Sequence, residues 1–190
     1  MTNEELINII DNDPVGYKAF YIEYFKKLYN YGRKFTLDNA HIEDAIQEVF
    51  LDLWAKKHKL MHINSVNSYL FSAFRYILFR RLKTESTIVK SEAFEAEPEF
   101  SVEYALVNEE TDKALRDKLK RALDTLTPRQ REAIFLRIYQ NLSYEEVAVI
   151  LNISVKATYK IMARSLSALK ENMHDYLGLL LLLLGSKSVN

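Results

Sequence analysis

The residues best suited to bind a ligand lie between Lys156 and Arg164, where cations and an aromatic ring share one face of a predicted helix. Small or apolar side chains recur there at the spacing of an inward face, namely Thr158, Met162, Leu166 and Leu169. The outward face then carries Lys156, Tyr159, Lys160, Ala163 and Arg164. Ammonium and guanidinium groups bind phosphates, and side chains on an exposed helix can reach base edges in a major groove. The face therefore predicts contact with duplex DNA.

Two shorter helices are predicted in front of this one. Thr127 can cap a helix that begins with Pro128, and Ser143 with Glu146 has the spacing of a capping box. Asn152 can adopt the left-handed conformation of a tight turn, and Ser154 can cap the helix that follows. This spacing is that of a helix-turn-helix. On spacing alone, any small bundle of amphipathic helices remains the alternative.

A second group of ligand-binding residues lies on a long helix predicted from Ser65 to Lys83. One stripe of this helix combines rings and cations, and consists of Tyr69, Tyr76, Arg80 and Lys83. Further rings and cations flank it at Phe71, Arg75, Phe79 and Arg81. Aromatic rings stack on unpaired bases while cations follow the phosphates, so this stripe suits single-stranded nucleic acid. The alternative is that the rings complete the hydrophobic core.

The clearest helical periodicity in the chain precedes that helix and predicts a core face. Its members are Ile42, Ala45, Ile46, Val49, Phe50, Leu53 and Trp54. The opposite face is a polar stripe with one apolar member, made of Asp44, Gln47, Glu48 and Leu51. A leucine among acidic residues is compatible with a surface that binds a protein partner, although one exposed leucine is ordinary. Another aromatic face, from Tyr17 to Tyr31, is expected to be core.

Composition favours an all-α chain of two small domains. Four glycines and three prolines in 190 residues are too few for a turn-rich β protein. Cysteine is absent, and the four histidines have no metal-ligand spacing, so neither a metal site nor a cofactor is expected. No nucleophile-base pair or phosphate-binding glycine loop suggests an enzyme. The leucine-rich run at 177–184 is too short to span a membrane, no signal peptide is visible, and a cytoplasmic protein is expected.

Charge divides the chain into segments although the formal net charge is zero. Residues 1–83 carry 12 basic and 10 acidic residues, 84–112 carry 1 and 9, and 113–190 carry 13 and 7. The sequence therefore predicts a first domain at 1–83, an acidic linker at 84–112, a basic helix-turn-helix domain at 113–175 and a leucine-rich tail at 176–190. The basic last domain suits phosphate contact.

Two motifs in this order resemble the extracytoplasmic-function sigma factors of bacterial RNA polymerase. The run Asp44-Ala45-Ile46-Gln47-Glu48-Val49-Phe50-Leu51-Asp52-Leu53-Trp54 is similar to region 2.2 of that family. Leu126-Thr127-Pro128, Tyr144-Glu145-Glu146-Val147-Ala148 and Ser154 are similar to region 4. Residues 68–83 resemble regions 2.3 and 2.4, so the resemblance covers nearly all of the chain except the linker and the tail.

The resemblance implies core RNA polymerase and promoter DNA as partners, with an anti-sigma factor as a further one. It places polymerase binding on Asp44, Gln47, Glu48 and Leu51. It places binding of the melted strand on Tyr69, Tyr76, Arg80 and Lys83. It places binding of the upstream duplex element on Lys156, Ala157, Tyr159, Lys160 and Arg164. Relatives often have a basic residue where this chain has Tyr159, so the base sequence that it reads does not carry over from them.

Three points stay open at the level of sequence. A stand-alone helix-turn-helix regulator with an N-terminal sensing domain is the main alternative, and a protein-binding adaptor is a second. The acidic linker either follows a basic channel of the polymerase, as the resemblance implies, or is a solvated spacer. The leucine-rich tail could pack on its own domain, bind an inhibitor or self-associate.

Overall fold

Helices form all the regular structure in the part of the chain that the computed structural model describes, residues 3–89 and 113–172. This confirms the predicted all-α class. Contacts between residues divide the chain into two units, Met1–Glu99 and Phe100–Asn190. The predicted linker beyond residue 89 and the leucine-rich tail lie outside the described residues.

Within residues 3–89, the first unit contains four α-helices and one short 3-10 helix. They are α1 (Asn3–Asn12), α2 (Pro14–Gly32), α3 (Asn39–Ala55), the 3-10 helix (Lys57–His62) and α4 (Val66–Val89). Asp13 caps α2 through a hydrogen bond of 2.9 Å from the Gly16 amide, and Pro14 begins the helix where no amide donor is needed. Asp38 caps α3 by accepting from the amide of Ala40 at 2.8 Å.

The core of this unit lies between α2, α3 and α4, which pack on one another. Tyr31 of α2 is fully buried, and its ring centroid lies 5.4 Å from that of Phe71 and 6.0 Å from that of Phe74, both on α4. The hydroxyl of Tyr24 donates to Oδ1 of Asn67 at 2.6 Å, which satisfies the polar end of a buried ring. Burial of each such large side chain contributes about 1.5–3 kcal/mol.

Within residues 113–172, the second unit contains four α-helices and one π-helical turn. They are α5 (Lys113–Asp124), α6 (Pro128–Ile134), the π-helical turn (Phe135–Tyr139), α7 (Tyr144–Ile150) and α8 (Val155–Asn172). Helix α8 contacts α5, α6 and α7, so it is both a central packing element and the carrier of the predicted DNA-binding face.

The structure corrects several details of the predicted helices. Trp54 was expected in the core but is 50% exposed, with its ring centroid 5.6 Å from that of Tyr17 on α2. Phe71 was expected beside the nucleic-acid stripe but is fully buried. Helix α4 runs to Val89, past the predicted end at Lys83. Helix α1 and the 3-10 helix were not predicted.

Candidate nucleic-acid interface

Hydrogen bonds at the helix starts build the helix-turn-helix as predicted. The Thr127 hydroxyl accepts from the amide of Gln130, whose side chain accepts in return from the amide of Thr127 at 2.8 Å. Ser143 and Glu146 form the same reciprocal box, with bonds of 3.1 and 2.7 Å. Each box satisfies amides that the first turn of a helix leaves without partners. The predicted starts of α6 and α7 are therefore confirmed.

The turn between α7 and α8 is held from both sides. Asn152 has a φ of 51°, the left-handed conformation that was expected for it. The hydroxyl of Ser154 accepts from the amide of Ala157 at 3.1 Å and so caps α8. Arg129 of α6 donates from Nη2 to the carbonyl of Leu151 at 2.9 Å, which fastens the end of α7 to α6. These bonds fix the direction in which α8 leaves the turn.

The faces of α8 agree with the prediction. Its buried residues are Thr158, Met162, Ser165 and Leu169, with Ser165 in place of the expected Leu166, which is half-buried. The predicted DNA-binding residues Lys156, Tyr159, Lys160 and Arg164 are exposed, and Ala157 is half-buried. The cations therefore lie on the surface of the unit, where they can reach phosphates.

A stack of side chains that sequence reasoning missed lies beside this face. The rings of Tyr144 and Tyr159 are nearly parallel, at 12°, with their centroids 4.0 Å apart. The guanidinium of Arg137 lies 5.2 Å from the centroid of the Tyr144 ring. The π-helical turn, α7 and α8 thus meet at the ring pair of Tyr144 and Tyr159. The only sequence signal for this contact was a tyrosine at the start of α7 and another on the outward face of α8.

The predicted single-strand stripe on α4 is mostly exposed. Tyr76 is 68% exposed and the guanidinium of Arg80 lies 5.9 Å from its ring centroid, while Lys83 is also exposed. Tyr69 is half-buried, and this burial, with the nearby charge of Asp52, raises the pKa of its hydroxyl. Tyr76 is therefore the ring of this stripe that offers most surface to a base.

The acidic stripe of α3 and the basic stripe of α4 are joined by ion pairs. Arg80 donates to Glu48 Oε1 at 2.5 Å. Arg81 donates to Glu48 Oε2 and to Asp44 Oδ2, each at 3.1 Å. The hydrogen bond from Arg80, followed by that from Arg81, lowers the pKa of the Glu48 carboxyl. The remaining two members of the stripe, Gln47 and Leu51, are exposed, Leu51 at 71%.

Within residues 3–89 and 113–172, no group of three or more acidic or histidine side chains is placed to hold a metal ion. No helix in the same residues is long and apolar enough to cross a membrane.

Comparison with known proteins agrees with these features. The family described as "Sigma-70, region 4" matches residues 116–169, which include α6, α7 and most of α8. No curated protein sequence gives a significant match to the chain.

Two solved structures have a similar fold. The sigma factor RpoE from Bartonella quintana, in complex with the anti-sigma factor NepR, matches with a TM-score of 0.59 at 20% identity, over 83% of this chain and 96% of that one. CnrH, in complex with the cytosolic domain of CnrY, matches with a TM-score of 0.54 at 17% identity, over 92% of this chain and 99% of that one. At such identities the likeness is one of fold. Residues 116–169 thus belong to the sigma-70 region 4 family, and together with the fold this match confirms the sigma-factor resemblance carried by the motifs of the chain.

Proposed function

We propose that this protein is a sigma factor of the extracytoplasmic-function type and that it divides its work between its two units. The first unit binds core RNA polymerase with α3 and the melted strand with α4. The second unit places α8 in the major groove of the upstream duplex. The observation that carries the proposal is the outward face of α8, where exposed cations lie around the exposed ring of Tyr159. This helix follows α7, whose start is fixed by a capping box.

Reading of the duplex is assigned to Lys156, Ala157, Tyr159, Lys160 and Arg164. The long cationic side chains bind phosphates and set the register of the helix, while Tyr159 and Ala157 meet base edges. This division follows from chemistry, since a lysine recognises a phosphate equally well beside any base. Tyr159 has an apolar ring with one polar atom, which suits it to discriminate between bases.

Polymerase binding is assigned to the stripe of Asp44, Gln47, Glu48 and Leu51. Leu51 supplies the exposed apolar contact, and Gln47 beside it supplies hydrogen bonds. Glu48 is already bound to Arg80 and Arg81, so part of its charge is neutralised within the unit. Gln47 and Leu51 are therefore the members of the stripe that a partner meets first.

Capture of the melted strand is assigned to Tyr69, Tyr76, Arg80 and Lys83. Tyr76 offers a ring on which an unpaired base can stack, and the cations follow its phosphates. Capture of unstacked bases offsets part of the cost of strand opening, a few kcal/mol per flipped base. Binding energy, without covalent chemistry, thus accounts for the activity, and sigma factors are initiation factors rather than enzymes.

Two finer expectations belong to the same proposal. Transcription takes place beside the chromosome, so we expect the protein to work in the cytoplasm. Among the proteins of similar fold, RpoE is in complex with the anti-sigma factor NepR, and CnrH is in complex with the cytosolic domain of CnrY. We expect an anti-sigma factor for this chain as well.

Run-off transcription with purified core polymerase and a pool of genomic fragments tests the proposal. We expect discrete transcripts that appear only when the protein is present. A parallel measurement of binding to the selected fragments without polymerase distinguishes the stand-alone regulator. Tight binding of free duplex with no promoter-dependent transcript would reject the sigma function in favour of that regulator.

A further inference from the structure

The stacked pair of Tyr144 and Tyr159 links the second helix of the helix-turn-helix to the third. Tyr159 is 52% exposed on α8, and one side of its ring lies against the ring of Tyr144 with centroids 4.0 Å apart. Tyr144 is the first residue of α7 and is half-buried. The two rings are thus in contact across a short turn, and Tyr159 is not a freely rotating surface side chain.

Tyr144 is itself held by the preceding element. Arg137 belongs to the π-helical turn, and its guanidinium lies 5.2 Å from the centroid of the Tyr144 ring. Its Nη1 also donates to the carbonyl of Leu142 at 3.1 Å, just before α7 begins. The capping box of Ser143 and Glu146 fixes the backbone at the same point. Tyr144 is therefore restrained through its backbone and its ring.

We propose that Tyr144 is a positioning residue for promoter recognition, which holds the ring of Tyr159 so that its edge meets the methyl group of a thymine. The inference rests on the proposed function of α8. An exposed tyrosine must lose rotational freedom when it docks on DNA, and a ring that is already stacked loses less. Preorganisation of this kind converts a general apolar contact into one that discriminates between bases.

The chemistry of the exposed ring leads to thymine. One face of the Tyr159 ring is covered by Tyr144, so the surface that remains for DNA includes the apolar ring edge. In the major groove the apolar group on a base edge is the C5-methyl of thymine, which the other three bases of DNA lack. Lys160 and Arg164, both exposed on the same helix, bind the phosphates on either side and bring the ring to the groove.

The test uses holoenzyme and duplex promoter DNA whose upstream element is randomised while the remainder is fixed. Selection and sequencing give the base preference at each position for the natural protein and for Tyr144→Ala. We expect Tyr144→Ala to reduce the preference for thymine at one position by about fivefold or more, the lower end of what one base contact contributes. Preferences at the other positions should remain.

Two matched variants separate positioning from other roles. Tyr144→Phe keeps the ring and removes the hydroxyl, so it should retain the preference. Val149→Ala alters another exposed residue of α7 outside the stack and should also have no effect. If Tyr144→Phe behaves like Tyr144→Ala, the hydroxyl acts rather than the ring, and the inference is wrong. A uniform loss at all positions would likewise overturn it.

A second measurement, made on the natural protein, tests the contact with the thymine methyl group directly. Replacing each thymine of the selected element by uracil removes only the methyl group. One replacement should weaken holoenzyme binding severalfold, at the position where Tyr144→Ala loses its preference. Equal binding of every uracil-containing duplex would overturn the methyl contact. If the natural holoenzyme selects no upstream sequence at all, that result overturns the proposed function of α8, and the role of Tyr144 with it.

Discussion

Tyr76 shows how much of the proposed strand capture depends on one side chain. Its ring is 68% exposed, whereas Tyr69 on the same stripe is half-buried and Phe71 is fully buried. Of the three aromatic positions, Tyr76 therefore has the greatest surface for stacking. The flanking cation Arg80 is bound to Glu48, which holds its guanidinium close to the ring of Tyr76.

We expect Tyr76→Ala to weaken capture of the melted strand by holoenzyme. Stacking of one base on an aromatic ring contributes about 1–3 kcal/mol, which corresponds to a loss of about fivefold or more. Binding of holoenzyme to a promoter fragment with a preopened strand measures the effect. Tyr76→Phe is the matched control and should bind normally. Strand binding by Tyr76→Ala at the level of the natural protein would remove Tyr76 from the proposed site.

Lys34 is a residue whose charge opposes folding of the first unit. Its side chain is 2% exposed, and burial, with a smaller effect of the Arg33 charge, lowers its pKa from 10.5 to about 8. Between those values the unfolded chain binds a proton at Lys34 that the folded chain does not. Lys34 therefore lowers the free energy of unfolding most below pH 8. This destabilisation decreases as the pH rises from about 8 to 10.5.

Lys34→Met should raise the free energy of unfolding at pH 7 by up to about 3 kcal/mol, the value of a shift of this size. The difference between the variant and the natural protein should shrink as the pH approaches about 10. Denaturant unfolding at several pH values measures it. Lys18→Met, at an exposed position of α2, is the matched control and should show no such pH dependence. A pH-independent difference would contradict the assignment to the Lys34 charge.

At the scale of helices, Gly32 sets how closely α2 approaches its neighbours. A Cβ atom at this position would lie 2.8 Å from Cγ2 of Ile42 on α3 and 2.9 Å from Cζ of Phe74 on α4. Both atoms belong to fully buried side chains. Gly32 therefore lies where α2, α3 and α4 meet.

Gly32→Ala is expected to destabilise the first unit by about 1–3 kcal/mol, as overpacking of a core does. Ala would otherwise favour a helix, so a loss of stability would identify steric contact as the dominant effect. Thermal unfolding of the two proteins compares them. Gly32→Ala together with Ile42→Val, which removes one methyl beside the new Cβ, should recover part of the loss. An unchanged melting temperature in Gly32→Ala would contradict the close approach.

The surface of α3 provides a second prediction at this scale. Leu51→Asp should weaken binding to core polymerase by about tenfold or more, because it places a charge on the exposed apolar residue of the stripe. Co-purification and titration with core polymerase measure the loss. Val15→Asp, at an 80% exposed position of α2, is the matched control. Charge reversal at Glu48 is a poorer test, since it would also break the pairs with Arg80 and Arg81.

Periodicity predicted which side of each long helix is buried, and it did so for α3 and α8 with few errors. It could not predict how completely the neighbouring helices cover each residue of a face, and Trp54 was placed wrongly. Helix α4 has aromatic residues on several faces, so its pattern did not separate buried Phe71 from exposed Tyr76. The pairing of Arg80 with Glu48 joins residues far apart in sequence and follows from packing, which spacing within one helix does not reveal.

At the scale of the whole molecule, the two units carry charges suited to different partners. Residues 113–190 hold 13 basic and 7 acidic residues, whereas residues 1–83 are nearly balanced. The ion pairs between α3 and α4 neutralise part of the charge of the first unit. The cations of α8 are exposed, so the dependence of promoter binding on salt should arise to a large part from the second unit.

Lys160→Ala combined with Arg164→Ala tests this division of labour. If each cation neutralises one phosphate, the variant should lower the slope of log affinity against log salt by about 1 for each, and weaken promoter binding across all sequences. Binding to core polymerase should be unchanged, because the surface proposed for polymerase lies on α3 in the other unit. Lys170→Ala removes an exposed cation from the last turn of α8, outside the proposed DNA-binding residues, and is the matched control. An unaltered slope would show that α8 does not lie against phosphates, and loss of polymerase binding would show that the two functions do not separate between the units.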